Sequence, residues 1–331
     1  MIIRTRAYPR AALIGNPSDG YFGKTIAFTF SNFHAEATLF ESPELVIEPS
    51  VRDGSTFTDI AGLAEDVRHF GYYGGIRLIK AAIKCFNDYV VENGIRLPAK
   101  NFTIRYSSDI PNLVGLAGSS AIITASMRAI MSFYGVDIPL PRLANLVRAV
   151  ENKELGIAAG LQDRVAQAYQ GLVYMDFAKD LLDKQGYGNY VPMHKEDMPP
   201  LYLAYRTDLS EGSEVFHNNI RDRFNAGEKE VVDAMRFFGD LTDKARVAIE
   251  AHDWDALSAL MDANFDKRAS LYRLSEGNLR MVRTARECGA SAKFSGSGGA
   301  IVGVCKDDAT FDRLSERLGA GGVKVIRPAL V

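Results

Sequence analysis

The chain has 331 residues, 47% of them hydrophobic, with a formal net charge of −2 at pH 7. It can therefore bury a large core, by length in two domains, and its mixed charge excludes a basic nucleic-acid surface or a patch for anionic membranes. Cys85, Cys288 and Cys305 lie far apart without metal-ligand spacing, no secretory leader pattern opens the chain, and no apolar run approaches the ~20 residues of a membrane span, so the expectation is a cytoplasmic protein with reduced core thiols.

The first strand-like run, Arg10 to Ile14, breaks at Gly15-Asn16-Pro17-Ser18-Asp19-Gly20, a cluster of strong turn formers. Thr25–Phe30 and Ala37–Ile47 read as extended. From Gly75 to Asn93 the apolar residues Ile76, Ile79, Ile83, Phe86 and Val90 fall at helical spacing, and Asn93-Gly94 ends the helix. Phe102–Tyr106 returns to strand alternation. A glycine- and serine-rich turn follows, Pro111-Asn112-Leu113-Val114-Gly115-Leu116-Ala117-Gly118-Ser119-Ser120, running straight into a helix over Ala121–Tyr134. Glycines let several backbone N–H groups point inward, and the helix adds the positive end of its dipole, so the turn makes a cup for polyphosphate. The two serines can cap the helix or meet a phosphate-bound metal ion. Helices are predicted over Leu143–Leu155 and Arg164–Tyr169, then a strand over Gly171–Phe177.

The polar stretch from Ala178 to Pro192, followed by Pro199-Pro200, marks a domain boundary. Beyond it come a strand over Leu201–Tyr205 and helices across Glu228–Ala251, Trp254–Ala269 and Asn278–Cys288. A third glycine loop, Lys293-Phe294-Ser295-Gly296-Ser297-Gly298-Gly299-Ala300, enters the strand Ala300–Cys305, and Val323–Val325 closes the series. Two look-alike motifs fail on context. Ser18-Asp19-Gly20-Tyr21-Phe22-Gly23-Lys24-Thr25 is one residue from a P-loop but leads into a strand, where a P-loop needs a helix. The loop at Gly296 lacks the last glycine of a dinucleotide fingerprint and also leads into a strand.

Taken in order, the three turn motifs resemble those of the GHMP small-molecule kinases, and the resemblance spans nearly the whole chain. The middle motif is one residue longer than the usual family form. The resemblance implies an α+β, two-lobed GHMP kinase fold, with a ribosomal-protein-S5-like N-terminal domain over 1–185 and a ferredoxin-like α/β C-terminal domain over 186–331. It also implies ATP and Mg²⁺, phosphoryl transfer to a hydroxyl, and a homodimer as one assembly open to such a protein.

Carried over residue by residue, the resemblance assigns the catalytic acid-base position to Asp163, in Gly160-Leu161-Gln162-Asp163-Arg164, and a charge-stabilising role to Arg10. Pro111, Gly115, Leu116, Ala117, Gly118, Ser119 and Ser120 match the nucleotide loop. Ser120 matches the metal-facing serine, with Glu151 as its carboxylate partner and Glu154 in reserve. Gly296, Ser297 and Gly298 line the substrate cleft. Read without the resemblance, Asp163 is a helix N-terminal acid, Arg10 a solvated strand-end charge, and Glu151 and Glu154 surface acids.

Asp19 matches the acid that contacts sugar hydroxyls in sugar kinases; a carboxylate can accept two hydroxyl bonds at once. Asn16 stands where galactokinases carry a Glu holding the 6-hydroxyl, and its neutrality tolerates a carboxylate at that carbon. The longer matching runs, including Glu154 to Gln167, Asn264-Phe265-Asp266 and Lys293 to Ala300, are most similar to the glucuronokinase branch, which makes glucuronic acid 1-phosphate. A uronate demands a cation, for which Lys24, Arg206 and Arg268 are candidates. A heptose or neutral-hexose 1-kinase, a mevalonate- or homoserine-type kinase, and a non-catalytic sugar sensor are the alternatives.

Overall fold

The computed structural model describes residues 2–50, 53, 59–63, 74–209 and 220–331. In chain order, β1 (Ile2–Ala7), β2 (Arg10–Ile14), β3 (Lys24–Thr29), β4 (Ala35–Ser42) and the short β5 (Val46–Ile47) precede helix α1 (Gly75–Glu92) and β6 (Asn101–Ser108). The strand expected to run unbroken from Ala37 to Ile47 is thus two strands, parted just after Ser42 by Pro43, which has no amide hydrogen for a ladder. Next come α2 (Gly118–Tyr134), α3 (Leu140–Ala149), α4 (Gln162–Tyr169), β7 (Leu172–Asp176), α5 (Lys179–Gln185) and β8 (Asn189–Pro192). The rest is β9 (Leu201–Tyr205), α6 (Lys229–Glu250), α7 (Trp254–Leu271), α8 (Glu276–Glu287), β10 (Lys293–Phe294), β11 (Ala300–Val304), α9 (Asp308–Gly319) and β12 (Lys324–Ile326). The mixture is α+β, as expected.

Three four-stranded sheets form, in the orders β1-β4-β6-β5, β2-β3-β7-β8 and β10-β11-β9-β12. All neighbours are antiparallel except β5 and β6. The first two sheets and their helices share one core, in which α2 lies against β1 and β4. Helix α1 buries Ile79, Phe86 and Val90, as its sequence period predicts, but adds Leu78 and Ala82 and leaves the predicted Ile76 and Ile83 half-buried. Each of the larger ones, Leu78, Ile79, Phe86 and Val90, stabilises by about 1.5–3 kcal/mol. A second core joins the third sheet to α8 and α9. The second sheet continues past residue 185, because β8 pairs with β7, and α6 packs against β3.

Two helix boundaries differ from expectation in ways that matter for the site. Helix α2 starts at Gly118, three residues earlier than predicted, and Ala117 ahead of it sits at φ 61°. The predicted helix over Leu143–Leu155 is α-helical only to Ala149 and then widens into a π turn, Val150–Glu154. Such a wide turn shifts the register of the residues on it, and Glu151 here is buried. Among the described residues no helix is long and apolar enough to cross a membrane. All three cysteines are buried and free.

Candidate active site

Strand β2 is the edge of its sheet, and the unpaired polar groups of an edge strand must find partners elsewhere. They find them in both other glycine loops. Arg10 N donates to Leu116 O at 3.2 Å and Ala12 N to Ser295 O at 2.9 Å. The three motifs that lie far apart in sequence are thereby laced together along one strand.

Glycine is required where the loops touch. Gly115 has φ 68°, and a Cβ there would stand 2.9 Å from Ser297 N. A Cβ on Gly296 would stand 2.3 Å from Gly115 O. So Gly115 and Gly296 are close-packed backbone, and Gly296 bears on the middle loop rather than lying open to the cleft. Arg268, nearly fully buried, donates to Gly296 O at 2.9 Å and Ser297 O at 3.3 Å. Gly298, at φ 151°, precedes Gly299, whose amide donates to Asn278 Oδ1.

Arg10 is buried and bonds across all the motifs. Its Nε donates to Asp163 Oδ1 at 2.6 Å, and Nη1 donates to Gly115 O and Ser295 O, both at 2.8 Å. Its reading as a solvated strand-end charge is thus excluded. Asp163 stands in the first turn of α4 and also accepts from Arg164 Nη1 at 3.1 Å. Burial by itself would raise its pKa, but the guanidiniums of Arg10 and Arg164 hold it below the usual carboxylate range. It is a fixed anion.

Arg164 was not foreseen from the sequence. Its Nε donates to Glu151 Oε2 at 2.7 Å and its Nη2 to the same oxygen, so one guanidinium bridges Glu151 and Asp163. The only cue was an Arg directly after the Asp, 13 positions beyond Glu151. The other oxygen of Glu151 accepts from Ser119 Oγ at 2.9 Å. Ser120 Oγ instead donates to Ala117 O at 3.1 Å and is buried. Glu154 faces away, paired with Lys84 at 2.7 Å. Of the two acids, then, the structure brings Glu151 to the serine pair.

Neither serine caps α2: Ala117 holds the N-cap position and no side chain accepts from the first-turn amides. This corrects the capping expectation and leaves those N–H groups facing the loop. Leu113, Gly115 and Ala117 all have positive φ near 60°–70°, the alternation that turns successive amides inward. Leu116 and Val114 are buried beneath this loop, while Pro111 is partly exposed at its start.

Asp19 lies in a short 3-10 turn, Ser18–Tyr21, and a Cβ on Gly160 would meet its Oδ2 at 2.5 Å. Burial chiefly, and then the nearby Asp163 charge, push its pKa up to about 6. Asn16 is buried; its Nδ2 reaches Phe294 O at 3.5 Å, its backbone O accepts from Asn264 Nδ2 at 3.1 Å, and its Oδ1 has no partner among the described residues. Lys293 is buried too, donating to Ala12 O and Phe294 O. Burial, with Arg268 and Arg10 close by, lowers its pKa well below the lysine range. Two of the three candidate cations are engaged elsewhere. Lys24 pairs with Asp243 at 2.7 Å, and Arg206 with Asp208 at 2.5 Å.

The arrangement is a fixed carboxylate between two guanidiniums, beside an amide-lined loop and an acid with hard-oxygen neighbours. It can orient a hydroxyl against an anion held at the helix end.

The chain resembles known proteins over most of its length. Residues 77–171 match the family model described as GHMP kinases N terminal domain, and 245–324 match GHMP kinases C terminal. The chain is 42% identical over 322 residues to probable glucuronokinase 2 of Arabidopsis thaliana, covering 95% of this chain and 87% of that one. It is also 42% identical over 320 residues to glucuronokinase 1 of the same organism, covering 95% and 88%. The crystal structure of Lactococcus lactis galactokinase complexed with galactose superposes with a TM-score of 0.74 at 14% identity, covering 99% of this chain and 93% of that one.

Proposed function

Given that the chain belongs to the GHMP kinases, we propose that it transfers the γ-phosphoryl group of ATP to the anomeric hydroxyl of D-glucuronate, giving glucuronic acid 1-phosphate. The observation that carries the chemistry is the Arg10–Asp163–Arg164–Glu151 chain of charge-assisted bonds at the mouth of the amide-lined loop. The substrate reading is supported by the 42% identity to two glucuronokinases and by neutral Asn16 beside Asp19.

In this mechanism Asp163 accepts the anomeric hydroxyl and aims its oxygen at the phosphorus. With a pKa held below the usual range it is a weak base. That suffices where the transition state is loose and the proton leaves late. The proton passes to Asp163 Oδ as the new O–P bond forms and the β–γ bridge breaks towards ADP. Arg10, fixed by two carbonyls and Asp163, holds its charge beside the transferring group without reorganising. The first-turn amides of α2, with Gly115, Leu116, Ala117 and Gly118, hold the phosphates. Asp19 and Asn16 take sugar hydroxyls, Asn16 through the unpartnered Oδ1.

The donor set suits Mg²⁺: a buried carboxylate oxygen of Glu151 beside the serine hydroxyls, with room in the ion's shell for phosphate oxygens and water. Glu151 with Ser119 or Ser120 would hold the ion, which would neutralise phosphate charge. Arg164 keeps the other Glu151 oxygen occupied.

The test is ADP release with Mg·ATP across glucuronate, galacturonate, glucose, galactose, a heptose and mevalonate. A clear preference for glucuronate supports the reading. Preference for a neutral sugar leaves the kinase chemistry in place and removes the uronate assignment.

A further inference from the structure

A uronate brings a carboxylate into a site that already holds Asp19, Asp163 and Glu151 against Arg10 and Arg164. A further anion there needs further positive charge. The three cations suggested by sequence do not offer an open fork. Lys24 and Arg206 are paired with Asp243 and Asp208, and Arg268 holds two loop carbonyls.

Two other arginines flank Asp19. Arg148, in the last turn of α3, donates from Nε to Ala159 O at 3.1 Å. That residue directly precedes Gly160, which touches Asp19 on one side. Arg221 comes from the stretch just before α6. Its Nη2 is 3.2 Å from the Cβ position of Gly20, directly after Asp19, and its guanidinium lies over the Tyr21 ring at 5.2 Å. Tyr21 also packs on Phe224 at 5.0 Å, which fixes the platform. Gly20 matters here because a side chain would crowd the arginine. Both arginines are exposed, and among the described residues neither pairs with a carboxylate.

We propose that Arg148 and Arg221 form a two-sided clamp for the carboxylate of the sugar acid, one fork from α3 and one from the stretch just before α6. The proposal rests on the sugar-kinase reading above and names the residues that set its preference for an acid. Desolvation chiefly, and then the charges of Arg164 and Arg221, disfavour the Arg148 cation, while Asp19 favours it. Two like charges held this way across a hydroxyl-binding acid are relieved by a bound anion. A planar carboxylate can accept from both guanidiniums at once.

The test compares wild type, Arg148→Met, Arg221→Met and Arg221→Lys on glucuronate, glucose and glucose 6-phosphate, with melting curves to confirm folding. For each Met variant, kcat/KM for glucuronate should fall about 10- to 100-fold, mainly through KM, as expected for losing a charged hydrogen bond. The value for glucose should change little, and Arg221→Lys should recover part of the loss. Equal losses on glucuronate and glucose, or a preserved acid preference, overturn the clamp while leaving the sugar-kinase reading intact. A wild type that prefers glucose overturns the uronate reading itself, and the clamp with it. A wild type that prefers glucose 6-phosphate, with that preference lost in the variants, overturns the carboxylate in favour of a phosphate.

Discussion

Arg10 Nε and Asp163 Oδ1 are 2.6 Å apart, joining the first strand of the second sheet to the first turn of a helix 153 positions later. The same guanidinium binds the carbonyls of Gly115 and Ser295. One side chain therefore sets the spacing of the carboxylate, the nucleotide loop and the third glycine loop. Replacing Arg10 with Lys keeps the charge but offers no planar fork for three acceptors. The expected outcome for Arg10→Lys is a kcat lower by about 10²–10³-fold. Near-wild-type turnover would show that charge alone suffices there.

Asp163→Asn removes the anion and leaves Arg10 and Arg164 without their shared partner. Turnover should fall by about 10²–10⁴-fold, the range for losing a positioned acid-base group. ATP affinity, read with a fluorescent nucleotide, should hold, because the amide-lined loop does not involve this carboxylate. An unchanged rate removes Asp163 from the mechanism.

Asp19 gives a pH signature. Its folded-state pKa of about 6 lies above the ordinary value of 3.8, so the folded chain holds the proton more tightly. Its favourable contribution is complete below the unfolded pKa and is lost as pH rises through about 6. Asp19→Asn does not titrate, so it should gain stability over wild type above about pH 4, reaching about 1–3 kcal/mol by pH 7–8. Denaturant melts at several pH values check this. Sugar affinity should run the other way. Wild type should bind sugar more weakly below about pH 6, as the carboxylate gains a proton, and the variant should lack that limb.

Gly296→Ala tests the contact between the loops. A Cβ at 2.3 Å from Gly115 O cannot be absorbed by a side chain, because the neighbour is backbone. The loops must part, at a cost of about 1–3 kcal/mol. Both the melting temperature and ATP affinity should drop. Loss of neither would mean that the two loops are not in contact.

Much of this was legible in the chain, for local reasons. Turn-forming runs at Gly15–Gly20 and Pro111–Ser120, and the helical period of α1, are written in short stretches, and the structure holds them. Arg10, Asp163 and Glu151 could be named because their motifs carry them. What could not be read were contacts between distant segments. Nothing local says that Glu151 turns inward while Glu154 pairs with Lys84, since that depends on the π turn at Val150–Glu154. Arg164 likewise looks like any helix-start cation until Glu151 is placed beside it. Local sequence offers the serines a capping role besides a metal-facing one, but the turn of backbone at Ala117 puts one hydroxyl on Glu151 and the other on a carbonyl, and neither caps the helix.

That pairing yields a fifth prediction. Glu151→Gln should raise the Mg²⁺ concentration needed for half-maximal rate by about tenfold or more, as expected for losing one charged hard-oxygen ligand. Glu154→Gln should leave it unchanged. Titration of rate against Mg²⁺ at fixed ATP separates the two, and equal behaviour would dismiss Glu151 as the metal carboxylate.

The central claim is that the anomeric oxygen of a uronate receives the phosphoryl group. Proton-coupled phosphorus NMR of the product formed from glucuronate and ATP reads this directly. The account predicts one sugar-phosphate signal coupled to the anomeric proton. A signal coupled to a proton on any other carbon, or no sugar phosphate at all, would contradict it.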